Sequence, residues 1–298
     1  MFFAQTVENV LANIRGDTEV IAVCDGDWPV PGLRDHSRLN VIHFTDSVGQ
    51  RAATNAGARL SQSKYLMKLD AHCAVSEGFD VRLMEPYEDG TLSGDVTTIP
   101  RMYNLHAFDW VCEDGHNRYQ GPPGPCEECG KETIRKIVWA PRKARLTDFA
   151  RFDNDMKFQY WRHYGKRPEA AGDYAEVLCS VGAAWLNTAE RWWELGGLDE
   201  RHGSWGQCGV EVACKAWLSG GRQVVNKKAW FSHMFRTNNH GFGFPYPIRE
   251  RDIEAARVHS RRMWKGGEWE GTKRPLQWLV DKFAPVPDWH PEEIPHGI

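Results

Sequence analysis

Two clusters in this 298-residue chain combine residue types that bind metal ions. The first is Asp70-Ala71-His72, which directly follows the apolar run from Tyr65 to Leu69. A carboxylate and an imidazole two residues apart on an extended segment point to the same side, so one divalent ion can take both. The second is Cys112, His116, Cys126 and Cys129, where three thiolates and one imidazole can close a tetrahedral zinc shell. Four protein ligands leave no open position, so this site reads as structural, a knuckle whose halves are folded together by the Gly121–Pro125 turn. The remaining cysteines, Cys24, Cys73, Cys179, Cys208 and Cys214, are scattered and mostly in apolar runs. They read as buried thiols of a reducing compartment, so a cytoplasmic location is expected.

The elements that must position these groups follow from the apolar pattern. Val7, Val10, Leu11 and Ile14 predict a helix over 5–15. Short apolar runs predict strands over 19–24, 39–44 and 64–69, with an Ala/Arg-rich helix over 48–60. A helix near 78–85 and a strand near 93–99 follow. After an interruption the pattern resumes with a strand over 177–186, helices near 188–195 and 209–219, and strands near 222–226 and 229–235. This alternation predicts an α/β domain with a mainly parallel sheet. In such sheets ligands bind beyond the carboxyl ends of the strands, where Asp25 and Asp70 both fall.

The interruption, residues 101–167, holds the Cys/His cluster and 13 Lys/Arg against 9 Asp/Glu, a net +4. With −3 for the whole chain, the rest carries −7. The expected organisation is a first half over 1–100, a basic and aromatic insert over 101–167, a second half over 168–240 and a wrapping tail over 241–298. No apolar run is long enough for a membrane span, and 41% hydrophobic residues suffice for a full core.

The residues around Asp70 also carry a resemblance. Leu69-Asp70-Ala71-His72-Cys73 after an Arg/Ala-rich helix is similar to the donor-site region of GT-A glycosyltransferases of the family 2 type, in particular the polypeptide N-acetylgalactosaminyltransferases. Trp192 to Glu200, Trp205-Gly206, Glu211, Lys215, Trp217 and the segment Phe231–Arg236 follow the same family's order. The resemblance implies a GT-A fold with a UDP-sugar as donor. It assigns Asp70, His72 and His233 as ligands of Mn2+ or Mg2+, with Asp70 at the catalytic centre. It places Asp25 at the nucleoside, Arg51 at a phosphate, and Trp205 and Arg236 at the donor.

Two departures stand out. Cys208 occupies a position where the family usually has an acid, which leaves Glu211 as the candidate acceptor-side base or orienting group. In addition, a helix precedes the first strand, where GT-A chains normally open with a strand. A sheet without that strand has an unpaired edge or gap and reduced donor affinity.

Three acceptors fit: a hydroxymethylated pyrimidine in DNA, a polysaccharide or lipid-linked sugar, or a protein Ser/Thr hydroxyl. The first is placed ahead because the whole chain looks like glycosyltransferases of bacteriophage genomes. The basic insert, with Trp139, Arg142, Lys143, Arg145, Arg151, Tyr160, Trp161, Arg162, Lys166 and Arg167, could also hold a phosphate backbone and an extruded base. The competing reading is an inert domain that binds sugar nucleotide or nucleic acid without turnover.

Overall fold

A computed structural model describes residues 2–203, 205–235 and 249–289, with 144–146 described as backbone only. Helix α1 (Phe3–Asn13) buries Ala4, Val7 and Val10, the apolar stripe expected from their spacing. Strands β1 (Val20–Asp25) and β2 (Leu39–Phe44) pair in parallel, from Val20 opposite Leu39 to Asp25 opposite Phe44. Helix α2 (Gln50–Leu60) packs back on β1, and Gly57 permits this: a Cβ there would lie 3.3 Å from Val23. Next come β3 (Tyr65–Leu69), β4 (Cys73–Val75) and α3 (Phe79–Glu88).

A long strand, β5 (Val96–Cys112), then leaves the centre of the molecule. It is followed by β6 (Asn117–Tyr119), β7 (Thr133–Leu146), β8 (Ala150–Phe152), β9 (Phe158–Tyr160), β10 (Tyr174–Glu176) and β11 (Ala184–Thr188). Helix α4 (Ala189–Glu194) starts where the Thr188 side chain accepts a hydrogen bond from Arg191 N, an N-cap. Helix α5 (Cys208–Leu218), β12 (Arg222–His233), α6 (Glu250–Ser260) and α7 (Leu276–Lys282) complete the order.

The sheet is mixed, which corrects the expectation of a mainly parallel one. Its central path runs β10-β12-β5-β11-β3, with β4 on β12 and β6 and β7 on β5. Only the β5–β12 pair within it is parallel; β10, β11, β4, β6 and β7 pair antiparallel. Parallel neighbours need a long crossover, usually helical. Between β5 and β11 the described chain supplies hairpins and single 3-10 turns in place of such helices.

Other boundaries move for related reasons. The division expected at residue 100 falls inside β5, because one strand runs from the central sheet straight into the insert. The two strands expected near 222–226 and 229–235 are one, with an irregular register between Asn226 and Trp230. The described part of the tail is not a mere wrapping: Met263, Trp264, Leu279, Val280 and Phe283 share a core with Trp185 and Trp217. Trp185 stacks on Trp192 at 5.7 Å, and Trp217 donates Nε1–H to Val177 O at 3.1 Å. Of the other five cysteines, every one is buried and free.

Strands β1 and β2 stand apart as a two-stranded sheet. Among the described residues, neither the second edge of β1 nor that of β3 carries a ladder, and residues 20–25 and 64–70 line one cleft. A two-stranded unit with one ladder opens more readily than the centre of a large sheet. Hydrogen exchange read by mass spectrometry should therefore show residues 20–25 and 39–44 losing protection before 96–102 and 222–226. Equal protection of both sets contradicts a separate unit.

Candidate active site

The ends of three strands meet at one point. Asp70 follows β3 and anchors its N–H on Ala183 O at 2.8 Å. His72 precedes β4, and its carbonyl accepts Met234 N–H at 3.1 Å. His233 ends β12 opposite Cys73. The three side chains converge: His72 Nε2 lies 2.9 Å from His233 Nε2, and His233 Nε2 lies 3.3 Å from Asp70 Oδ2. All three ligand atoms fall within 4.8 Å of one another, close enough to share one ion. Residues 71 and 72 form a turn, not the extended segment assumed from the spacing, and the turn aims Asp70 and His72 together.

Sequence reasoning missed Lys68. Its side chain is almost fully buried, with Nζ against Asp70 Oδ1 and 2.9 Å from Gly182 O. The signal was there: Lys68 and Asp70 are two apart at the end of a strand, so they share a face. Gly182 can approach because Gly209 faces it; a Cβ on Gly209 would lie 1.8 Å from Ser180 O. Gln50 Nε2 donates to Asp70 Oδ1 at 3.2 Å. Burial alone would raise the Asp70 carboxyl. The Lys68 ammonium, the hydrogen bond to His233 and the imidazoles outweigh it and hold the group well below the usual carboxylate range. Asp70 is thus ionised at any ordinary pH, as a metal ligand must be.

The cleft beside this triad measures about 1780 Å³, and Asp25, Gln50, Lys68, Trp205 and Phe235 also line it. Asp25 ends β1 and accepts from Ser47 Oγ at 2.9 Å, Val48 N at 2.6 Å and Gly49 N at 3.0 Å. Its carboxylate therefore shapes the loop that opens α2. Trp28, also in the cleft wall and overlooked in the sequence, is 55% exposed and stacks on His43 at 4.4 Å. Arg236 lies outside the described residues.

Arg51 and Glu211 are placed elsewhere. Arg51 is 1% exposed, and its guanidinium reaches Glu211 Oε2 at 2.9 Å, Gly203 O at 3.0 Å and Gly206 O at 2.7 Å. A fork with three internal acceptors is not facing a substrate phosphate. Glu211 is fully buried, holding Arg51 and Lys215 at 2.9 Å each and accepting Asp199 N–H. Neither lines the cleft. A carboxylate so surrounded is an anchor between α2, α5 and the chain near 199; as placed it does not reach an acceptor as a base. Cys208 is buried too, and burial pushes its thiol up, so it does not replace the family acid.

At the far end of β5 the other cluster is assembled. Cys112, His116, Cys126 and Cys129 bring their ligand atoms within 4.8 Å of one another, with Cys126 Sγ 3.6 Å from His116 Nδ1 and Cys129 Sγ 3.7 Å from Cys112 Sγ. A tetrahedral zinc–thiolate shell has an edge of about 3.8 Å. Two tight turns present the ligands: Gly115 N donates to Cys112 O at 3.0 Å and Gly130 N to Cys126 O at 2.9 Å. Both glycines have positive φ, of 83° and 71°. Backbone N–H groups of Cys129 and Glu128 pull the Cys126 thiol down to about 6, toward the thiolate a metal needs.

The Glu211 cluster makes a stability prediction. Burial alone raises its carboxyl, but Lys215, Arg51 and His202 hold it below the ordinary 4.5. Its stabilising contribution is full above pH 4.5 and fades as the pH falls through the lower folded value. Glu211→Gln strands two buried cations and should cost about 3–5 kcal/mol at pH 7 by denaturant unfolding, with the difference shrinking in acid. A loss under about 0.5 kcal/mol contradicts the anchor role.

With this geometry in place, comparisons with known proteins are informative. Residues 2–120 match the model of the family described as Glycosyl transferase family 2. The putative polypeptide N-acetylgalactosaminyltransferase 13 of Drosophila melanogaster is 22% identical over 225 residues, which cover 76% of this chain and 34% of that protein. The chain thus spans about a third of that relative's length. A structure of GalNAc-T7 with UDP, GalNAc and Mn2+ superposes with a TM-score of 0.59 at 17% identity, over 98% of this chain and 50% of its own. HddC from Yersinia pseudotuberculosis gives a TM-score of 0.35 at 8% identity, over 87% of this chain and 84% of its own, too loose to bear on the fold. The chain has the GT-A fold, carries a glycosyl transferase family 2 segment over residues 2–120, and resembles the polypeptide N-acetylgalactosaminyltransferases.

Proposed function

We propose that this protein transfers a sugar from a UDP-sugar to a hydroxyl acceptor, with a divalent ion held by Asp70, His72 and His233. The convergence of these three side chains on a cleft that also holds Asp25, Trp28 and Trp205 carries the reading. Two imidazoles and one carboxylate suit Mn2+ better than Mg2+. The bound ion supplies charge compensation to a departing diphosphate. Lys68 and Gln50 fix the Asp70 carboxylate, so the ligand set is preorganised before an ion arrives. Trp28 and Asp25, together at the end of β1, offer an aromatic face and an acid for a nucleoside. Arg51 is spent inside the protein and Asp25 takes the Val48 and Gly49 N–H groups at the opening of α2, so the expected contact with phosphate falls to the ion and to Gln50, which lines the cleft.

For the acceptor, the hydroxymethyl group of a modified pyrimidine in DNA rests on the insert. Lys136, Lys143, Arg162 and Lys166 are exposed, and Lys157 and Phe158 of the same insert line the cleft. Part of the aromatic and basic set turns inward: Trp139 and Trp161 are buried, Arg151 holds Asp288 at 2.7 Å, and Arg167 donates to Phe283 O and Pro285 O at 2.8 Å. Arg142 lies over Tyr119, and the Arg145 side chain is outside the described residues. A protein Ser/Thr hydroxyl is the second reading, favoured by the curated relative's name.

One assay separates these. UDP-sugar hydrolysis should require Mn2+, and Asp70→Asn or His233→Ala should each lower it about 100-fold or more. Metal-independent hydrolysis, or full activity of either variant, contradicts the site; no turnover with any nucleotide sugar favours the inert domain. With turnover established, sugar incorporated into hydroxymethylcytosine DNA but not plain DNA supports the first acceptor, and label on a Ser/Thr peptide alone supports the second.

The Cys/His knuckle is proposed to hold structural zinc. Elemental analysis after chelator-free purification should find zinc that Cys126→Ser removes, with a lower melting temperature; an unchanged zinc content contradicts this assignment.

A further inference from the structure

Outside the cleft, Asp199, His202 and His259 bring one carboxylate oxygen and two imidazole nitrogens within 4.8 Å of one another. Asp199 Oδ2 lies 2.9 Å from His259 Nε2 and 3.8 Å from His202 Nδ1. The His202 side chain is 0% exposed, with Nε2 placed 3.1 Å from Ser260 Oγ. Its other nitrogen, Nδ1, has no hydrogen-bond partner and lies between Asp199 Oδ2 at 3.8 Å and the buried Glu211 Oε2 at 3.6 Å. A buried polar atom left without a partner is destabilising, so a ligand that takes it up stabilises the fold. When Nε2–H donates to Ser260, Nδ1 carries a bare lone pair, which is the ligand form of an imidazole.

We infer that Asp199, His202 and His259 form a second zinc site. With bonds of 2.0–2.1 Å, a tetrahedral shell has ligand edges of about 3.3 Å. The separations of 2.9 and 3.8 Å bracket that value. Two imidazoles and one carboxylate make an N/O set that zinc takes readily, with the fourth position left to water. Ser260 orients His202, and Arg201 holds Asp199 Oδ1 at 2.8 Å. Arg201 also places Nη2 3.0 Å from Oδ2, the ligand oxygen, so its guanidinium competes with the ion for that carboxylate; with the side chain 70% exposed, it can turn into solvent when the ion binds. The zinc joins the one-turn 3-10 helix Glu200–His202 to α6. It thereby fixes the chain just before Gly203 and Gly206, whose carbonyls hold Arg51, and before Trp205 in the cleft wall.

The site is tested apart from the other two candidate metal centres. Protein carrying Cys112→Ser, Cys126→Ser and His233→Ala is stripped with chelator and titrated with zinc alone. It should bind one zinc, and adding His259→Gln should abolish that binding together with the rise in melting temperature that zinc produces. Arg201→Ala, a surface change, should tighten zinc by roughly two- to fivefold by removing a competing cation. If the triple variant does not fold, the same comparison holds in the unmodified background, where His259→Gln should lower the zinc count by one. No zinc bound outside the other two centres, or binding indifferent to His259→Gln, overturns the inference. It leaves Asp199 and His259 as a hydrogen-bonded pair.

Discussion

The buried carboxylate of Glu211 holds the two walls of the cleft together. Strands β1 and β2 share no ladder with the main sheet, so backbone hydrogen bonds do not fix where Asp25 and Trp28 sit relative to Asp70. Helix α2 does this through buried polar side chains. Arg51 reaches Glu211 and the carbonyls of Gly203 and Gly206, while Asn55 donates to Leu198 O at 2.8 Å and accepts Leu198 N–H at 2.9 Å. An ion cluster of this kind is a weak source of net stability but a costly one to break. Its use here is positional, because the charges fit only one arrangement of α2 against α5.

The same cluster shows where sequence reasoning reached its limit. Periodicity found α1, both strands of the β1–β2 pair and α5 to within a few residues: α1 buries a stripe, while β1, β2 and α5 are short apolar runs bounded by polar or glycine-rich turns. The cluster of Asp70, His72 and His233 was legible from a short string and the flanking blocks, although the backbone at residues 71–72 turns where extension was assumed. Arg51 and Glu211 were misplaced because they are 160 residues apart, and nothing local distinguishes a guanidinium that meets phosphate from one that meets a buried acid. Strand direction failed for a similar reason. Apolar runs look alike in parallel and antiparallel sheets, and the β5–β7 hairpin reverses the chain inside a segment without helical spacing.

The insert is continuous with the catalytic half. Asn104 of β5 sits beside His233 of β12, and the same strand reaches Cys112, about 26 Å further along an extended chain. The Cys/His cluster thus lies at the end of an arm rooted beside His233. Trp139 packs near the root with Phe2 and Phe108, and the exposed basic residues lie along the arm and beyond it. Trp139 and Trp161 of the insert are buried, while Tyr160 remains exposed.

The central claim is that Asp70, His72 and His233 hold one divalent ion where a UDP-sugar docks. A crystal grown with Mn2+ and UDP, with data collected at the manganese absorption edge, tests it most directly. The account predicts one anomalous peak within coordinating distance of all three side chains, with the diphosphate on its open side. A peak lying elsewhere, or UDP bound in the cleft with no metal between it and Asp70, would contradict it.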